Sequence, residues 1–93
     1  MSKKTIWKYP MPIVDYYAFD MPEDAEVLTV QVQHGVPCIW ATVDPNKPKL
    51  PRGFFVRGTG HELGLAESAK YVGTFQIELG GLVFHLFDEG PQR

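Results

Sequence analysis

Arg57, Gly58, Thr59, Gly60 and His61 follow in unbroken order on the apolar residues Phe54, Phe55 and Val56. A guanidinium, a hydroxyl and an imidazole spaced by glycines could hold an anion: successive backbone N–H groups in a glycine turn form a nest, and Arg57 would add charge. The named phosphate loops are not met. A P-loop needs a closing Gly-Lys-Ser/Thr, and the dinucleotide fingerprint needs three glycines at fixed spacing before the helix of a parallel unit. Here His61, Glu62, Leu63 and Gly64 follow instead. Two readings therefore stand, a ligand loop and a plain turn, which glycine serves equally well.

The other reactive side chains do not assemble into a known constellation. His34, His61 and His85 are far apart in sequence, and "HELGL" lacks the second histidine that a zincin helix requires at i+4. No metal site and no cofactor is expected. Ser2 and Ser68, the only serines, do not sit at a nucleophile elbow. Cys38 lies inside "PCIWATV", where a thiol reads as core rather than nucleophile. No catalytic residue is assigned, and an enzyme is the lesser reading. More informative are Gln31, Gln33, Trp40, Gln76 and His85, which with Thr29, Thr42 and Thr74 fall at the polar positions of alternating segments. Uncharged hydrogen-bonding and aromatic groups stand there in place of the Lys and Glu of an ordinary solvent face, a make-up typical of ligand sites and interfaces. Trp40 could stack on a base and the glutamines could read its edge. The plainer alternative is a solvent face built of Thr and Gln, which strands tolerate.

These residues need a scaffold of short strands, since glycine and proline interrupt the chain too often for long helices. "VLTVQVQ" (27–33) alternates with period two, and "CIWATVD" (38–44) repeats the pattern after the four-residue connection "HGVP", which predicts an antiparallel hairpin. "YVGTFQIEL" (71–79), "GG" and "LVFHLF" predict a second hairpin with a two-residue primed turn at Gly80-Gly81. Its last strand, apolar on nearly both sides, is expected to be central or covered by another subunit. "TIWKY" (5–9) is expected at an edge, "DYYAFDM" as a short strand, "PEDAE" as a turn and "FFVR" as a short strand. "DPNKPKLPRG" (44–53), with three prolines, is expected to be an exposed loop, and "LAESAK" (65–70) one or two helical turns. The expected fold is all-β with one short helix: a small antiparallel sandwich or partly open barrel of six to seven strands.

A chain of 93 residues makes one domain, residues 1–93, with a small core, so homo-oligomerisation is expected to add stability. The formal charge of -2 argues against duplex nucleic acid, while leaving room for a small anionic or nucleotide-like ligand in a local pocket. A single cysteine suits a reducing compartment, and "MSKKTIWKYP" contains no unbroken apolar run for export or a membrane span. The expected location is the cytoplasm.

"IWKYPMPI", "VLTVQVQHGVPCIWATVDP", "GTGHEL" and "YVGTFQIELGGLVFHLF" resemble, in order and spacing, a family of small uncharacterised proteins encoded by bacteriophages and prophages. The resemblance covers nearly the whole chain and carries no catalytic residue with it. It implies an accessory protein of the infected host's cytoplasm that antagonises defence. The resulting expectation is a non-enzymatic, homo-oligomeric binding protein that sequesters a nucleotide-derived immune signal. Its ligand contacts would come from Arg57, Gly58, Thr59, Gly60 and His61, meeting Trp40, Gln31, Gln33, Gln76 and His85. The alternative is a protein–protein interaction module acting on a host or phage protein through the same face.

Overall fold

The computed structural model describes residues 3–91. Seven strands run in chain order: β1 (Thr5–Pro10), β2 (Tyr16–Pro22), β3 (Glu26–Gln33), β4 (Val36–Val43), β5 (Lys49–Gly58), β6 (Lys70–Ile77) and β7 (Leu82–Pro91). They form a three-stranded sheet, β1-β4-β3, and a four-stranded sheet, β2-β5-β7-β6, and every pairing is antiparallel. The sheets pack as a sandwich and do not close into a barrel. Val30, Ile39, Ala41 and Val43 from one sheet meet Met21, Phe54, Val56, Phe75 and Leu86 from the other in a single buried cluster. Alternation along the strands builds this core, because every second residue of β4, β5 and β7 points inward.

Both expected hairpins form, with different turns. In the first, Gln33 pairs with Val36, so His34 (φ 52°) and Gly35 (φ 78°) alone make a two-residue turn, and Val36 and Pro37 join β4. In the second, Ile77 pairs with Leu82 and the turn centres on Glu78 (φ 52°) and Leu79 (φ 56°), not on Gly80-Gly81. The Gly80 N–H closes it on the Ile77 carbonyl at 3.1 Å. β1 is an edge strand and β7 lies between β5 and β6, as their sequences imply.

Two expectations are corrected. Residues 65–70 are not helical, and the described residues contain no helix. A segment this short does not repay the cost of helix nucleation. Only one turn remains there, closed by the Ala69 N–H on the Ala66 carbonyl. The exposed loop placed at 44–53 is also shorter than expected: β5 begins at Lys49 and takes in Pro51, Arg52 and Gly53, of which Arg52 and Gly53 are buried. Among the described residues β7 pairs with β5 as far as Arg52, through Pro91, and Pro51 is paired with β2, through Asp20. Pro37 sits in the same way, one residue past the last β1–β4 pair, Pro10 with Cys38.

Candidate ligand-binding site

β5 and β6 run in the same direction with β7 between them, so residues 59–69 must cross β7 to link them. The inner side of the sheet is filled by the core, and the segment is held on the outer side. Arg57 is the main anchor. Its Nε donates to the Leu63 carbonyl at 2.5 Å, and its Nη1 donates to the carbonyls of Asp15 (2.9 Å) and Val56 (3.0 Å). The guanidinium also lies over the Phe55 ring, 5.3 Å from the centroid. At the far end the Ser68 hydroxyl donates to the Glu89 carbonyl at 2.9 Å. Arg57 therefore spends much of its donor capacity on fixing loop geometry.

Beside Arg57 on the outer face, His85 is held through both ring nitrogens. Thr59 Oγ1 is 2.8 Å from Nε2 and Thr74 Oγ1 is 2.8 Å from Nδ1, while the Tyr71 hydroxyl is 2.5 Å from Thr74 Oγ1. Register brings this about, since Arg57 pairs with His85 and His85 with Thr74. The chain Thr59–His85–Thr74–Tyr71 contains no carboxylate. Both partners are hydroxyls, which donate or accept as the ring requires, so the ring is fixed in plane by uncharged partners.

Thr59 also lines a pocket of about 380 Å³ with Gly58, His61, Gly81, Leu82, Val83 and Phe84, between the glycine loop and the β6–β7 turn. Gly58 makes the close approach possible: a Cβ there would lie 3.0 Å from His61 Cε1 and Nδ1. The backbone is less suited to an anion than the glycines suggest. The Thr59 N–H donates to the Val83 carbonyl and the His61 N–H to the Gly58 carbonyl, so of the three successive N–H groups Gly60 alone has no backbone acceptor. What the loop offers a ligand is side chains and an apolar wall.

The remaining candidates lie elsewhere. Trp40 and Gln33 are on the outer face of the three-stranded sheet, where Lys8 Nζ sits 5.9 Å from the Trp40 ring centroid and donates to Gln33 Oε1 at 2.6 Å. Gln31 and Gln76 come together at the seam where β3 packs on β6, lining an open cleft of about 360 Å³ with Thr74. The fold thus gathers Arg57, Gly58, Thr59, Gly60, His61 and His85 in one region and holds Trp40, Gln31 and Gln33 apart from it.

A larger cleft, about 640 Å³, was not anticipated. It opens at the other end of the sandwich, lined by Ala25, Glu26, Val27, Arg52, Ser68, Lys70, and β7 from Asp88 to Pro91. Arg52 and Asp88 form a bidentate pair there: Nε donates to Oδ1 and Nη2 to Oδ2, each at 2.8 Å, and Nη1 donates to the Ala25 carbonyl at 2.9 Å. One signal was available. Arg52 shares parity with Phe54 and Val56, and Asp88 with Phe84 and Leu86, so alternation carried past the apolar runs points both charges inward.

The chain belongs to the family described as domain of unknown function DUF7352, whose model matches residues 2–93. No curated protein and no solved structure matches the chain. Among the described residues no helix is long and apolar enough to cross a membrane.

Proposed function

We propose that this member of the family is a non-enzymatic binding protein that holds a small nucleotide-derived ligand in the pocket beside the Gly58–His61 loop. The observation that carries the reading is the shared position of Thr59, which both lines that 380 Å³ pocket and bonds His85. Pockets of this size, mostly apolar with a few directed polar groups, suit small-molecule ligands. Phe84 and Leu82 supply apolar wall, and His61 and Thr59 supply hydrogen bonds. The His85 chain keeps Thr59 in place, and Arg57 keeps the following segment folded back. Binding without turnover is favoured because His85 is bracketed by two threonines and has no carboxylate to orient it as a base. The resemblance to phage-encoded proteins supports a role in sequestering a host immune signal, and the small core supports self-association.

Thermal melting against cyclic nucleotides and ADP-ribose derivatives tests the reading. A bound ligand at about 100 times its Kd raises stability by roughly 2.7 kcal/mol. Thr59→Val and His61→Ala should abolish the shift while leaving the unliganded melting temperature within a few degrees. No shift with any member of the panel, or shifts that survive both substitutions, would overturn it. A protein-interaction module is the second reading, favoured by Leu79, which stands fully exposed at the tip of the β6–β7 turn. A stoichiometric protein partner, captured by the wild type and lost with Leu79→Ser, would select that reading instead.

A further inference from the structure

The floor of the 640 Å³ cleft has a chemistry distinct from that of the loop pocket, and the inference drawn from it is independent of the proposed function. Arg52 is 8% exposed and Asp88 9%, yet both line the cleft. A guanidinium carries five N–H donors, and Arg52 spends three: Nε and one Nη2 hydrogen on Asp88, and one Nη1 hydrogen on Ala25. One N–H on Nη1 and one on Nη2 remain. On the carboxylate, Oδ1 accepts from both Nε and the Gly90 N–H, whereas Oδ2 accepts from Nη2 alone and keeps acceptor capacity. The outer edge of the pair therefore presents a donor, Nη2–H, beside an acceptor, Oδ2.

We infer that this cleft binds a flat molecule carrying adjacent N–H and C=O groups on one edge, the lactam edge of a nucleobase or the equivalent edge of a primary carboxamide. The C=O accepts from Arg52 Nη2 and the N–H donates to Asp88 Oδ2. A trans peptide bond points its N–H and C=O to opposite sides and cannot engage both groups. Charge selects against phosphate here. Arg52 and Lys70 are outnumbered among the lining residues by Asp88, Glu26 and Glu89, so the recognised part is uncharged. Ala25, Val27 and Pro91 supply apolar surface for a ring. The donor and acceptor capacity left on the pair faces the cleft, where a ligand edge that displaces water must match both groups, and this gives the edge its specificity.

The test uses uridine, inosine and nicotinamide as probes, with 3-methyluridine as the matched control that lacks the N–H. Binding is followed by two-dimensional amide NMR on the full chain. Shifts at Ala25, Val27 and Gly90 that saturate with uridine or inosine, and at least tenfold weaker binding of 3-methyluridine, are expected. Nicotinamide binding as tightly as the nucleosides assigns the site to carboxamides; weaker binding assigns it to nucleobases. Val27→Trp, which fills the cleft and leaves Arg52 and Asp88 intact, should abolish the shifts. Equal binding of uridine and its methylated analogue, shifts confined to the loop pocket, or no saturable binding of any probe would each overturn the inference. Thr59→Val separates the two sites, because it empties the loop pocket and leaves this cleft unchanged.

Discussion

The Arg52–Asp88 pair shows what one residue contributes when it is buried. Both charges have left water, and removing one partner strands the other in a low-dielectric setting, which typically costs about 3–5 kcal/mol. Asp88→Ala should therefore lower stability by about that amount in urea titration, a large part of the total for a small domain. Arg52→Leu combined with Asp88→Leu should be much less damaging than the sum of the two single changes. Neither role could be read with certainty from residue type: Arg52 sits among prolines and a glycine, which signal a loop, and only the parity it shares with Phe54 and Val56 points inward. Thr59 and His85 were legible as candidates by type. Their pairing was not, because it depends on Thr59 N–H meeting the Val83 carbonyl across two strands far apart in sequence.

At the scale of the element, strands were read well and connections poorly. Period-two alternation identifies β3, β4, β6 and β7 because one face of each must be buried. Turns depend on which residues take positive φ, and there the sequence misleads. Gly80 and Gly81 are the natural occupants of a primed turn, yet Glu78 and Leu79 take left-handed positions along with Gly80. Such conformations cost non-glycine residues roughly 1 kcal/mol or more each. Glu78→Asn together with Leu79→Gly should raise stability by about 1–2 kcal/mol. A melting temperature unchanged or lowered by the double substitution would show that the turn is not strained. The absent helix at 65–70 has a similar origin: local propensity favoured it, while Arg57 and Ser68 tie the segment across the sheet through Leu63 and Glu89.

For the whole molecule, two tyrosines contribute to the loss of stability at alkaline pH. The Tyr16 phenol is held above its ordinary pKa first by its hydrogen bond to Glu89, with burial and the carboxylate charge adding to it, and Tyr9 is raised by burial. In both, the folded chain keeps a proton that the unfolded chain releases, so their stabilising contribution is complete below about pH 10 and is lost as the pH rises through the folded values. Urea midpoints measured across that range should fall with pH, and less steeply in Tyr16→Phe. An all-β fold of short antiparallel strands followed from composition and turn density, but the choice of sandwich over partly open barrel did not, nor did which strands share a sheet, since pairing β1 with β4 and β2 with β5 rests on contacts distant in sequence. That arrangement leaves four sheet edges. Those of β3 and β6 face one another at the seam, where Gly73 lets the strands approach so closely that a Cβ would lie 2.9 Å from Val30 Cγ1. The other two, β1 and β2, end in Pro10 and Pro22, which have no N–H to offer a neighbouring chain. An all-β chain with this much exposed apolar surface is thereby guarded, at its described edges, against edge-to-edge growth into fibrils.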